Sequence, residues 1–408
     1  MPYYRRNIII LATTIFLASV SWTQVIPFLP LFVKELGIDG KDLLLWTGIL
    51  FSAQSMASIV AQPFWGKMGD KYGRKPMAVR AGLGLVIIYF GMSFVTNIWQ
   101  LLTIRILNGM LTGFIPGSMA LIATNTPKEM APRYIATAQT SSASGQIVGP
   151  LIGGLLAAGF GYRGSMRVSG AAVLLCTLFV IWLVREPNKA EVAESTSLFE
   201  DFTASFRSPV LASIMFTVML YGLTISSINP FLTLHVAKIA PGSPGWLAGF
   251  IYSLPPIALV LTAHLWTHLG KRRGYNMPIV VGLAGAALCI FTLAVARNIW
   301  VFSIALFSTG VFLAALNPST AALIIVRVRE GFRGRAYGMQ TSASTLGCFV
   351  APILAGSVAA SFGISAIFVL LGCVLLAGTL LFPSFARAWD SEKGMADPVT
   401  INPKYNAD

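Results

Sequence analysis

The chain has 408 residues, 55% of them hydrophobic and only 11% charged, with a formal net charge of +14 and a mean hydropathy of +0.74. Soluble domains carry about 25% charged residues, so this composition excludes an ordinary soluble domain and places most of the chain against lipid. Backbone groups in lipid must be satisfied within each segment, and about 20 apolar residues cross a hydrocarbon core of roughly 30 Å as a helix, so the fold class is an all-α polytopic membrane protein.

In chain order, twelve spans are predicted, at about 8–33, 43–65, 76–96, 98–123, 136–159, 164–184, 209–236, 245–267, 277–295, 299–326, 336–360 and 364–385. The opening MPYYRR precedes a long apolar run without a small-residue cleavage site, which reads as a retained first helix. Between spans two and three lies GKMGDKYGRKPM, residues 66–77, with five charges. Glycines at 66 and 73 allow tight backbone turns there. Asp70, the single acid among the local bases, is expected at a helix end, paired with Arg74 or set against the positive N-terminus of another helix.

Span four carries Arg105 in LLTIRILNGMLTGFIPG. A charge at that depth is costly unless it faces a cavity or partner; the alternative is an arginine that snorkels to one face. Span five carries Gly145, Gly149, Pro150, Gly153 and Gly154. Small residues every four positions let helices approach closely in lipid, and the proline invites a kink. A polar linker at 185–208 follows, beginning REPNKAEVAESTSLFEDF. In the second half, WTHLGKRRGYNMP at 266–278 is a degenerate copy of the first loop, with Lys271 in place of Asp70 and Tyr275 in place of Arg74. The tail at 387–408 reads as disordered.

Charge is distributed by topology. With the N-terminus inside, 22 of the 29 Lys and Arg fall on one side, which puts both termini in the cytoplasm by the positive-inside rule and makes nucleic acid an unneeded explanation of the basic excess. Four cysteines lie in spans at unrelated spacings and read as packing residues, with no metal site. No GxxxxGK[ST] occurs, so ATP has no phosphate cradle here. All 15 Asp and Glu lie in loops, span ends or tails, Glu35 and Asp70 among them. His264 stands alone in span eight; a histidine there titrates in the physiological range or is a hydrogen-bonded packing residue.

The chain repeats itself. NIW at 97–99 recurs at 298–300, PFLPLFV at 27–33 as PFLTLHV at 230–236, and AAGFG at 157–161 as AASFG at 359–363. GQIVGPLIGG at 145–154 returns as LGCFVAPILAG at 346–356, with Gly347, Pro352 and Gly356 kept. Two six-helix halves follow, 1–184 and 209–386, arranged as parallel repeats of the kind that place a substrate near the bilayer midplane and rock about it.

Gly66, Asp70, Lys71, Gly73, Arg74 and Lys75 match G-x-x-x-D-[RK]-x-G-[RK]-[RK], the signature loop of the major facilitator superfamily, at every fixed position. The chain resembles the twelve-spanner drug:proton antiporters of that superfamily, particularly the MdtG-like bacterial multidrug exporters. The resemblance implies that Asp70 holds the halves together on the cytoplasmic side and releases as the transporter turns inward. It implies that Arg105, with Gly109 and Gly113, couples to proton movement by acting on a nearby carboxylate. It also implies that span five bears the antiporter signature, with Ala136 departing from the glycine usual at its start. Taken with these residues, the expected function is secondary export of small amphipathic compounds by proton antiport, functioning as a monomer in the inner membrane, without cofactor or enzymatic chemistry. The alternative is a dedicated exporter of one metabolite such as a sugar, siderophore or organic acid. Because no span core holds an acid, neutral, zwitterionic or anionic substrates are expected. Trp22, Gln24, Gln54, Tyr221, Asn229, Tyr252 and Asn317 are the cavity candidates, since aromatic and amide groups within spans suit a roomy amphipathic pocket.

Overall fold

The computed structural model describes residues 3–111, 113–127, 129–187 and 208–391, without the side chains of Asp70, Glu330, Gly331 and 385–391. Most of the linker and the last residues of the tail therefore lie outside the described residues. Among the described residues the regular structure is helical, and eleven helices are long and apolar enough to cross a membrane. One of them, Ala131–Leu183, is two spans in one: Gly161 interrupts it at φ 68°, ψ 174°. The described residues thus hold twelve spans.

Boundaries differ from the sequence reading where charge was taken for loop. Span two runs from Gly40 to Tyr72, 33 residues that rise about 50 Å as a helix, against a hydrocarbon core of about 30 Å. Its polar end is helix standing clear of the apolar layer. One residue, Gly73 at φ 106°, separates it from span three, Arg74–Phe94. An L-residue with a side chain rarely adopts that φ, so the turn sits on a glycine. Gly66 makes no turn. It is helical and a Cβ there would meet open space, which corrects the expectation of two turning glycines. Span one is broken near its far end by a short 3-10 turn, Ile26–Phe28, where Pro27 and Pro30 remove two backbone donors.

One compact unit comprises Met1–Glu194 with Asn229–Ser253, the other Ser195–Ile228 with Leu254–Asp408. The first therefore takes in the adjoining ends of spans seven and eight. Its interior is built on Leu11, Ile15, Phe32, Leu50, Ile88, Phe114, Leu121, Val173 and Val180, all buried, while Val60, Phe160 and Trp182 stand exposed as lipid-facing side chains do. Lipid tails are as apolar as leucine, so helices here associate by close packing of small residues.

The repeat reappears in that packing. A Cβ on Gly109 would fall on the Gln54 carbonyl and the Ala57 methyl; one on Gly310 would fall on Pro255 and Ala258. Gly84 faces Leu111 as Gly285 faces Phe312, and Gly170 faces Phe90 as Gly372 faces Phe291. Each pair of partners lies about 200 residues apart in the chain, so the two halves share their helix contacts as well as their sequence.

Candidate functional site

The turn at Gly73 is held by a residue from the far end of the first half. Glu186, three residues past span six, accepts the backbone N–H of Arg74 at 2.7 Å and of Lys75 at 2.9 Å. These are the first free N–H groups of span three, and a carboxylate there meets both the unsatisfied donors and the positive helix end. A Cβ on Gly73 would stand 2.9 Å from Glu186 Oε2. Lys75 reciprocates, its Nζ donating to the carbonyls of Ile181 and Val184, each at 2.8 Å. The sequence sets Asp70 beside Arg74 or against the N-terminus of another helix; at the start of span three the carboxylate is Glu186. Asp70 lies in the last turns of span two, and its side chain lies outside the described residues. Lys71 stands 5.3 Å from the centre of the Tyr72 ring. Glu186 was read only as one acid of the linker, because nothing in its immediate sequence points to a loop 111 residues earlier.

Arg105 is buried, 4% exposed, in span four. Its Nε donates to the Leu50 carbonyl at 3.4 Å and its guanidinium lies 4.8 Å from the Phe51 ring centre. Tyr89 of span three, also buried, is its electrostatic neighbour. Among the described residues no carboxylate stands within ion-pair distance of it. The snorkelling alternative does not fit this burial, since a snorkelling head reaches water.

Span five presents two faces. Gly145, Gly149 and Gly153 lie against span one: a Cβ on each would fall on the backbone of Phe16, Val20 or Gln24, or on the side chains of Ser19 and Thr23. One position further on, Pro150 and Gly154 face the start of span eight, where Cβ atoms on Gly154 and Gly249 would fall on Gly245 and on Pro150. Ser253 Oγ donates to the Ile147 carbonyl beside them, and Thr233 Oγ1 donates to the Pro27 carbonyl at 2.6 Å. The motif is a stripe that lets one helix approach two neighbours.

Five of the cavity candidates lie in the first unit and two in the second. Gln24 is buried and its amide donates to Ser169 Oγ and, at 3.4 Å, to the Ser165 carbonyl, so it ties span one to span six. Gln54 is buried on the contact with Gly109. Trp22 and Asn229 are half-buried and Tyr252 is buried, all in the first unit. Tyr221 hydrogen-bonds Asn317 in the second. A cavity of about 250 Å³ in the first unit is lined by Phe28, Tyr162, Gly154, Thr233 and Gly245 among others, and none of the seven candidates borders it. His264 is exposed on span eight, which does not fit a packing histidine.

Twelve helical spans in two repeated halves define a polytopic membrane protein of the transporter type. The chain belongs to the Major Facilitator Superfamily, whose family model matches residues 11–297 and 214–401. It is 31% identical over 402 residues to the multidrug resistance protein MdtG of Escherichia fergusonii, covering 98% of this chain and 97% of that one. It is 33% identical over 370 residues to MdtG of Proteus mirabilis, covering 90% and 92%. Among solved structures, a mutant of the nucleoside transporter NupG superposes with a TM-score of 0.81 at 16% identity, over 93% of this chain and 99% of that one, a likeness of fold alone.

Proposed function

We propose that this transporter is a secondary active exporter of small amphipathic compounds, driven inward-to-outward by proton antiport through alternating access. It works in the inner (cytoplasmic) membrane with both termini in the cytoplasm, as a monomer, without ATP or any cofactor beyond the proton gradient. The observation that carries the reading is the likeness to multidrug resistance proteins along nearly the whole chain, supported by the two-faced glycine stripe of span five. In this reading Gly66, Asp70, Lys71, Gly73, Arg74 and Lys75 form the cytoplasmic gate, and Arg105 with Asp70 couples proton movement to the cycle. With no acid in a span core and a buried cation at Arg105, the compounds carried are neutral, zwitterionic or anionic.

The test is proton movement in everted vesicles, followed with a pH-sensitive dye as compounds of each charge are added to wild type and to Asp70→Asn. Alkalinisation of the acid lumen by wild type, lost in the variant, is the expected result. Silence across the panel would sink antiport of drugs and favour the dedicated metabolite exporter, a reading that the absence of a membrane carboxylate also supports.

A further inference from the structure

Spans four and ten are both broken. Span four runs Ile98–Leu111 and resumes at Phe114–Thr124 after Gly113 at φ 125°; span ten runs Ile299–Leu313 and resumes at Leu316–Arg327. A break strands carbonyls whose donors four residues on now lie across it, and in lipid such groups need another partner. In span ten the N–H of Ala315 turns back to Phe312, and the Val311 carbonyl is taken instead by the indole N–H of Trp266 at 2.7 Å. In span four the Met110 carbonyl is taken by the indole N–H of Trp65 at 2.6 Å.

Trp65 and Trp266 are 201 residues apart, and so are Met110 and Val311. The same bond is built twice. A serine or threonine of the broken helix itself would satisfy the carbonyl; a tryptophan from the neighbouring span also ties that span to the break. In the first half the tie is doubled. Arg80 Nη1 donates to the Leu111 carbonyl at 3.3 Å, and its guanidinium lies 3.6 Å from the Trp65 ring centre. Trp65 directly precedes the gate segment 66–75, and Met110 lies one and a half turns beyond Arg105.

We propose that Trp65 and Trp266 are hinge latches: positioning residues whose indole N–H groups hold the broken spans four and ten at a fixed bend and release them as the transporter changes state. The first latch, clamped by Arg80, is the stiffer and links the gate segment to the span that carries Arg105. This rests on the transport reading for its use but not for its test.

The test reads the bend directly, in full-length protein whose four native cysteines are replaced by serine. Spin labels at Gln100→Cys and Thr124→Cys report span four; labels at Val301→Cys and Arg327→Cys report span ten. Trp65→Phe keeps an aromatic ring and removes the N–H donor. It should broaden the span-four distance distribution about twofold, as a freed hinge does, and leave span ten unchanged; Trp266→Phe should do the reverse. Unchanged distributions, or equal broadening in both spans, overturn the latch. Where wild type transports, Trp65→Phe should also lower turnover, and a broadened hinge with unaltered turnover overturns the positioning role. A chain that transports none of the compounds offered leaves the distance measurement intact, so the two readings fail separately.

Discussion

Superposed in sequence at an offset of 201, the two halves share a scaffold and differ in charge. Gly109 and Gly310 make the same helix contact, Trp65 and Trp266 the same hydrogen bond, and Gly73 and Gly274 the same kind of turn, at φ 106° and 83°. Yet Arg105 has Leu306 as its counterpart, 1% exposed, and Tyr89 has Ile290, fully buried. Around the turns, a Cβ on Gly69 would meet the Arg74 side chain and one on Gly270 the Tyr275 ring. A Cβ on Gly73 would meet Glu186, whereas one on Gly274 would meet open space. Backbone packing was duplicated; the buried neighbours Arg105 and Tyr89 belong to the first copy alone. The scaffold tolerates an apolar residue in place of Arg105 and of Tyr89, so ionisable groups there are not required by folding.

The strongest way to break this comparison is to make the first half like the second. Arg105→Leu removes a cation that costs about 2.5–3.5 kcal/mol at the centre of a span. It should leave the melting midpoint in detergent unchanged or raised while transport is lost, as expected when an intramembrane charge is functional. A variant that unfolds would make Arg105 structural; one that still transports would detach it from coupling. Next in size is Gly73→Val against Gly274→Val. Both suffer the strain of an L-residue at positive φ, about 1–3 kcal/mol. Only the first also displaces Glu186 from two N–H groups, each charged hydrogen bond contributing roughly 1.5–3 kcal/mol. Thermal unfolding followed by intrinsic fluorescence should therefore show a clearly larger loss at 73, and equal losses would erase the asymmetry.

Much of this architecture is legible in the sequence. Twelve spans follow from run length, and the halves from matches such as NIW, because lipid imposes a long apolar signal that survives duplication. What misled was the assumption that polarity ends a helix. Hydropathy marks where lipid ends, but hydrogen bonding carries span two on to Tyr72, so Gly66 never turns. Gln24 misled differently: an amide satisfied by Ser169 across a helix contact has the same sequence signature as one lining a cavity. Glu186 was hidden because its partners lie over a hundred residues away, and no local pattern encodes a reciprocal cap. The paired tryptophans were in plain view at the repeat offset, and pairing polar or aromatic residues across the two halves would have found them.

The comparison sharpens most finely at that reciprocal cap. The end of span six sends Glu186 to the start of span three, and the start of span three sends Lys75 back to the carbonyls of Ile181 and Val184. The second half has Asn276 at the position of Lys75. Glu186→Ala should lower stability by about 1–3 kcal/mol, the cost of stranding donors at a helix end, and Glu186→Gln by less, since an amide oxygen still accepts. Lys75→Met should cost least, about 0.3–1 kcal/mol, the size of a cation's interaction with a helix C-terminus. If the two caps act as one clasp, the double variant should lose less than the sum of the singles, a coupling that a double-mutant cycle on melting midpoints resolves above about 0.5 kcal/mol. Strict additivity would mean two independent helix caps. Coupling would mean that spans three and six meet the gate segment as a single rigid piece, and that its movement in the first half begins at Gly73 rather than within the helices on either side.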